Sequence, residues 1–337
     1  MQGTVIVTGG AGYIGSHVCK ALHRRGILPV TVDDLSSGNK WAVKWGPLHI
    51  ANICDGTALR GIFDQYQVDA VLHFAAHSQV GESVSNPLKY HRNNIGGTVS
   101  LAEVMLEREV RRLVFSSTCA VYGMPDTTPI TEDAPRRPVN PYGQSKMSAE
   151  NALMDVAATG KLSVAMLRYF NAAGADADLE IGEAHEPESH IIPLAIRAAT
   201  GQLAQFRLFG TDYPTPDGSC LRDYIHVNDL ASAHLAALDF LQDQTGAHGF
   251  NLGTGKAVSV REILSAVERV TGRTVPTAEV ERRAGDPPVL FAANGKAQSQ
   301  LNWQPRESDI DSIVRSAVAW DEVYRAQGLE PPSYKRA

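Results

Sequence analysis

Three residues near the middle of the chain carry side chains suited to moving a proton. Tyr142 and Lys146 lie four apart in Asn140-Pro-Tyr-Gly-Gln-Ser-Lys146, so on a helix they share one face. A phenol titrates near pH 10 in water, and a neighbouring ammonium favours its ionised form. Lowering that value by about three units corresponds to roughly 4 kcal/mol of differential stabilisation. A phenol so tuned can take a proton from a substrate hydroxyl near neutral pH. Thr118 closes Ser116-Ser-Thr, just beyond the apolar run Leu113–Phe115, and its hydroxyl can share a hydrogen bond with the reacting group. Tyr-x-x-x-Lys is common by chance, and a Ser or Thr at a strand end often makes only a local turn. The reading rests on the three occurring together and in this order.

A second constellation opens the chain. Val5-Ile-Val-Thr-Gly9-Gly-Ala-Gly12-Tyr-Ile-Gly15-Ser-His has the spacing GxxGxxG between a β-branched run and an amphipathic one. Gly9 permits a tight turn, Gly12 lets the backbone approach a pyrophosphate, and Gly15 lets helix meet strand. Phosphates would then rest on the positive end of a helix beginning near Ser16. Asp33 closes the second candidate strand, where a carboxylate accepts from both ribose hydroxyls and repels a 2′-phosphate, which favours NAD over NADP. Asp34 beside it leaves the choice between the two acids open. Asn52 and Ile53 could edge the adenine. Phe74, Ala75 and Ala76 place small residues where backbone must approach the cofactor. A nicotinium ring held there would lower Tyr142 further.

These residues need a scaffold. Short apolar runs at Thr4–Thr8, Val30–Val32, Leu48–Ile50, Ala70–Phe74, Leu113–Ser116 and Val164–Leu167 read as strands. Helical patterns at Ser16–Arg25, Ala58–Tyr66 and Thr98–Arg108 separate them. Strands alternating with helices imply an α/β fold, a Rossmann-type doubly wound parallel sheet covered on both faces. After about residue 175 the texture changes to an acidic irregular stretch at 174–189, a turn-rich loop at Asp212–Ser219, and helical stretches at Ile191–Thr200, Val227–Phe240 and Val260–Thr271. Residues 1–175 therefore read as a NAD-binding domain to which later chain crosses back. Residues 176–337 read as a smaller α/β domain, mainly for substrate.

The 337 residues are 43% hydrophobic and 20% charged, with net charge −6, and there is no basic run of the kind nucleic acid requires. No stretch reaches the roughly eighteen apolar residues of a membrane span, and the first residues read as a strand rather than a signal peptide. Cys19, Cys54, Cys119 and Cys220 form no CxxC pair, as expected of reduced thiols in the cytoplasm. His185 and His190 flank two acids in His-Glu-Pro-Glu-Ser-His. Their spacing fits no zinc signature, and Pro187 would break a helix carrying both, so no metal is expected.

With these segments in hand, the chain resembles the extended short-chain dehydrogenase/reductase superfamily and, within it, the UDP-glucose 4-epimerase family. The likeness rests on the glycine loop with His17, His73-Phe-Ala-Ala76, Val80-Gly-Glu-Ser83, Ser116-Ser-Thr118, Val121-Tyr-Gly123, Pro141-Tyr-Gly-Gln-Ser-Lys146, Leu167-Arg-Tyr-Phe-Asn-Ala-Ala-Gly174, Phe209-Gly-Thr-Asp-Tyr-Pro-Thr215, Arg222-Asp-Tyr-Ile-His-Val227 and Arg283-Ala-Gly-Asp286. It implies an isomerase that interconverts UDP-glucose and UDP-galactose through a 4-keto sugar, with bound NAD regenerated in each turnover. In that scheme Tyr142, assisted by Thr118, is the base. Lys146 holds the nicotinamide ribose. The resemblance adds Tyr13, Ile14, Asn93, Ser116 and Phe170 to the cofactor site. It gives Arg222, Arg283 and Asn171 to the phosphates, Ile191, Leu208 and Phe209 to the uracil, Asp286 to a ribose hydroxyl, and His190 to the substrate side. It also implies a homodimer built on helices before and around Tyr142.

Departures from the family pattern matter. Ser78 stands where many members have Lys, and Asn52 where Asp is usual. Leu290, four after Asp286, is smaller than the Tyr that some members carry near the sugar's C2 substituent, which opens the site to UDP-GlcNAc and UDP-GalNAc. A 4,6-dehydratase would need an acid and a base directly after Thr118, and the chain has Cys119 and Ala120. A UDP-pentose 4-epimerase, and more distantly a non-catalytic NAD sensor, stay as alternatives.

Overall fold

The computed structural model describes residues 3–283 and 285–329. Met1, Gln2, Ala284 and residues 330–337 lie outside the described residues. With them lie the outer ends of both expected domains and one residue of the Arg283–Asp286 segment.

Seven strands form the main sheet: β1 (Thr4–Thr8), β2 (Leu28–Asp33), β3 (Leu48–Ile50), β4 (Val68–His73), β5 (Arg112–Thr118), β6 (Ser163–Tyr169) and, after the short β7 (Asn171–Ala173), β8 (Phe206–Phe209), β9 (Leu221–Arg222) and β10 (Tyr224–His226), the edge strand β11 (Ala247–Leu252). Their order is β11-β6-β5-β4-β1-β2-β3 and every pairing is parallel. Alternating side chains serve opposite faces. Val5 and Val7 join one apolar cluster and Ile6 the other; Val114 joins the first, Leu113 and Phe115 the second. The second cluster packs under the helices α2 (Gly56–Phe63), α5 (Gly97–Glu107) and α6 (Pro141–Ala158), which follow α1 (Tyr13–Arg24) and the short α3 (Val80–Ser85) and α4 (Pro87–Tyr90). The first packs under α1 and, later in the chain, α8 (Val227–Phe240), with α7 (Ile191–Ala199) lying between them in sequence. Coverage on both faces makes this the doubly wound sheet the alternation implied.

The remaining strands and helices build the substrate side. A third cluster joins α7 and β8 to α9 (Val260–Thr271) and α11 (Ile310–Ala326). β12 (Val258–Ser259) and β14 (Val289–Leu290) flank β9, and β13 (Thr277–Val280) pairs with β8. The short α10 (Gly295–Gln300) follows. β11 belongs to the main sheet although 77 residues of other structure separate it from β6. No helix among the described residues is long and apolar enough to cross a membrane. All four cysteines are free.

Two local readings need correction. The first helix begins at Tyr13, not Ser16. Gly12 is its N-cap, and Gly15 lies inside the helix, where a Cβ would come within 2.2 Å of the Gly9 carbonyl. The expected Ala58–Tyr66 helix runs from Gly56 to Phe63, started by Asp55, whose carboxylate accepts from the Thr57 and Ala58 amides.

Candidate dinucleotide and catalytic site

β1 lies between β2 and β4, so chain leaving β1 and β4 diverges at the carboxyl edge of the sheet, where open α/β sheets bind ligands. Gly9 turns there with φ +72°, and a Cβ on it would sit 2.6 Å from the Ala75 amide nitrogen. Only glycine allows β1 and β4 to release their chains so close together. The turn delivers α1 with its first amides facing outward and no acidic residue in its first turn, a suitable seat for phosphate. Tyr13 anchors the turn by donating its hydroxyl to the Gly174 carbonyl at 2.6 Å, and Ile14 packs against the core.

Asp33 is buried at the end of β2. Its oxygens accept from the Ala11 and Leu35 amides at 3.0 and 2.9 Å, and each keeps a lone pair for a further donor. Burial raises its carboxyl, and the two amides partly offset this. Asp34 is tied instead to Ser36 and Asn52, which separates the two acids left open by the sequence. Asn52 gives its amide to Asp34 and accepts from the Cys54 amide, so its oxygen is already partly used. Ile53 is buried beside it. Asn93 donates to Asn94, and it is the buried Asn94 that does the clamping: it bonds His77 backbone on both sides and Ser145 on α6. A π-helical turn, His91–Gly96, aims Asn94 inward; the sequence has no periodicity to mark it. The glycine turn, the buried Asp33 and the small Ala75 and Ala76 fit a dinucleotide.

The Tyr142 helix starts at Asn140, whose side chain accepts from the Gly143 amide. Its first two turns pack on the end of β5. The Thr118 hydroxyl acts to lower the Tyr142 phenol, and the Thr118 oxygen accepts from the Ala120 amide. Thr118 is therefore both the local cap its type suggests and a partner of the phenol. Tyr90 meets the Tyr142 ring edge-on at 6.5 Å. Lys146 is buried and donates to the Ser116 carbonyl at 2.7 Å, with its ammonium 4.8 Å from the Phe115 ring centre. The Ser116 hydroxyl is taken by Tyr169.

The electrostatics differ from the expectation of a lowered phenol. Burial pushes Tyr142 up to about 12, and the Thr118 hydroxyl only partly opposes it. Burial brings Lys146 down to about 7, against a smaller opposing effect of Glu150. The lysine spends its hydrogen bond on a backbone carbonyl, and protein groups alone do not favour the phenolate. The remaining lowering has to come from a cation bound alongside. Directly after Thr118, burial raises the Cys119 thiol to about 12.

Substrate candidates gather one strand away. Asn171 on β7 follows Phe170, which packs with Tyr122, Ala292 and Leu290. Leu290 is the register partner of Arg222 across β14 and β9, and like Cys119 it packs against the cluster that holds Tyr122 and Phe170. Arg222 pairs with Asp286, so these two candidates already satisfy each other. The Arg283 guanidinium lies 3.9 Å over the Phe209 ring, covering the face expected to meet a base. Leu208 is 1% exposed in the core, so its side chain is not available as a wall. Ile191 opens α7 and packs against that core, and His190 is its N-cap. Asp223 went unremarked in the sequence. Fully buried, it accepts from the Thr254, Gly255 and Ala292 amides and the Thr254 hydroxyl, locking Arg222 against the chain leaving β11. The adjacent Arg222 masked it, since an Asp beside an Arg reads as a surface pair.

Residues 5–253 match the NAD dependent epimerase/dehydratase family, and the chain belongs to that family. It is 46% identical over 317 residues to the UDP-glucose 4-epimerase of Rhizobium leguminosarum bv. trifolii, covering 94% of this chain and 97% of that one. Among solved structures, it resembles the UDP-glucose 4-epimerase of Brucella ovis in complex with NAD (48% identity, TM-score 0.92, 94% and 98% coverage). It also resembles that of Bifidobacterium longum in complex with NAD+ and UDP (35% identity, TM-score 0.91, 96% and 99% coverage).

Proposed function

We infer that the chain is an NAD-dependent isomerase that inverts C4 of UDP-hexoses, interconverting UDP-glucose and UDP-galactose. The observation that carries this reading within its family is the Tyr142 phenol beside Thr118 at the end of β5, followed by Cys119 and Ala120, neither of which is a carboxylic acid. One hydroxyl can be deprotonated and reprotonated there, and no acid–base pair stands ready to eliminate water. NAD, when bound, supplies the hydride acceptor and donor for C4. Tyr142 takes the proton of the 4-hydroxyl and returns it, and Thr118 orients that hydroxyl. Lys146 holds the ribose side of the pocket, and Asp33 selects the unphosphorylated adenosine ribose. Arg222, Arg283 and Asn171 grip the diphosphate, which leaves the sugar free to present either face. For Arg222 this means exchanging Asp286 for phosphate, which frees Asp286 to accept from the uridine ribose.

Proton NMR of UDP-galactose with the purified protein and no added cofactor tests the reading. UDP-glucose should accumulate to equilibrium; its absence even with NAD supplied would overturn the hexose assignment. UDP-GlcNAc is expected to turn over as well, because Leu290 leaves more room than a Tyr. No turnover at saturating UDP-GlcNAc would remove that role for Leu290.

A homodimer is expected to form through the helices around α6. Leu88 on α4 and Val84 on α3 are 70% and 65% exposed, and Val80 on α3, Met154 on α6 and Val99 on α5, which packs with α6, are also exposed. An apolar face of this kind favours association. Light scattering should give a dimer mass for the parent and a monomer mass for Val84→Asp/Leu88→Asp. A monomeric parent would sink the proposal.

A further inference from the structure

Pro187 does keep His185 and His190 off a common helix, but the segment is not helical at all. Residues 183–190 fold as an irregular turn ahead of α7. That turn gathers Glu183, His185, Glu188 and His190 so that one ligand atom from each lies within 4.8 Å of the others. His190 Nδ1 is 2.7 Å from Glu183 Oε1 and 3.1 Å from Glu188 Oε1, and His185 Nδ1 is 3.1 Å from Glu183 Oε1. The imidazole rings lie 4.9 Å apart.

Ion pairing alone does not account for the cluster. The Glu188 side chain is 1% exposed, and its Oε2 is buried without any hydrogen-bond partner. Its other oxygen is shared among the Ser189 amide, the His190 amide and the His190 ring. A buried carboxylate oxygen with no donor is costly, and a cation is the group that removes that cost.

We propose that Glu183, His185, Glu188 and His190 bind one divalent transition-metal ion, with Zn²⁺ the best match. Two imidazole nitrogens and two carboxylates suit zinc, and bonds of about 2.0–2.2 Å in a tetrahedron put ligand atoms about 3.3 Å apart. Three of the ligand pairs, in contact at 2.7–3.1 Å, would lengthen slightly, and the remaining pairs, all within 4.8 Å, would adjust to the same spacing. Two carboxylates, two neutral imidazoles and a dication sum to zero charge, which a partly buried site accommodates well. The half-exposed His190 side chain provides the entry path.

The role is structural. His185 meets the Tyr13 ring edge-on at 6.0 Å, Asn39 donates to the Ala184 carbonyl, and Trp320 donates to the Glu183 carbonyl. An ion would tie the glycine turn, α11 and the start of α7 through this one loop.

The test uses untagged protein stripped with a chelator. Titration with Zn²⁺ should give one ion per chain, release protons on binding, and raise the thermal midpoint with metal concentration. Co²⁺ should give the intense visible bands of a four-coordinate site. All of these should be lost in His185→Gln/Glu188→Gln, with the far-ultraviolet spectrum unchanged. Equal binding by parent and variant, or none by the parent, overturns the proposal. X-ray absorption of the zinc-loaded parent decides the matter even if the variant misfolds. A nitrogen and oxygen shell with two imidazoles supports the site, and sulfur or all-oxygen coordination refutes it.

Discussion

Tyr142→Phe is expected to lower turnover of UDP-galactose by about 10²- to 10⁴-fold, the usual worth of a positioned acid–base group, while leaving the fold and dinucleotide binding in place. The substitution removes one oxygen from a ring that packs edge-on to Tyr90. Thr118 keeps its second partner, the Ala120 amide, so little is left unsatisfied. The parent should also lose kcat/KM as pH falls, because Tyr142 works in its deprotonated form and burial raises rather than lowers it. The variant should lack that acidic limb. Lys146 runs the other way: brought down to about 7, it loses its positive charge as pH rises through that value. The measurement is the pH profile of both proteins with bound cofactor quantified by absorbance. Turnover within threefold of the parent would take Tyr142 out of the proton path.

The parts of this arrangement that could be read from the chain are those set by local patterns. Thr4–Thr8 and Leu48–Ile50 were legible to the residue, and the other sheet strands anticipated from the sequence within about two, because buried parallel strands are short apolar runs bounded by turns. The Gly9 turn was legible because its glycines answer a steric need visible in spacing. Hidden features depend on contacts between distant segments. β11 contains Ala247-His-Gly-Phe-Asn-Leu, too polar to stand out, and becomes a strand by pairing with β6. Asn94 rather than Asn93 faces inward because a π turn shifts the register by a fraction of a residue. Leu208 and Phe209 look equivalent in sequence, but alternation sends one to the core and leaves the other under Arg283. The Tyr142 environment is the clearest limit. Spacing placed Lys146 on the correct face, but not the Ser116 carbonyl that claims its ammonium.

Glu150 extends the same face of α6 by one more turn beyond Lys146, and Glu150→Ala is expected to destabilise the fold by about 3–5 kcal/mol. Glu150 is fully buried and accepts from the Ser117 hydroxyl, twice from Arg168, and from Arg136 at 2.6–2.8 Å. Burial pushes its carboxyl up, but Arg168, Ser117 and Arg136 outweigh burial and hold it below the ordinary range. Ser117 is on β5 and Arg168 on β6, so this one carboxylate pins the helix carrying Tyr142 to the two strand ends that present Thr118 and Tyr169. Without it Arg168, 6% exposed, keeps only Tyr122 and a long contact to the Glu132 carbonyl. Most of the cost is that stranded cation, so Glu150→Ala/Arg168→Met should be more stable than Glu150→Ala alone. The double variant should nevertheless stay impaired in kcat, because apolar packing restores stability without restoring the hold on Tyr142. Denaturant unfolding and turnover of the three proteins separate the two effects. A single variant destabilised by less than about 1 kcal/mol, or a double variant with full kcat, would mean that α6 keeps Tyr142 in place without Glu150.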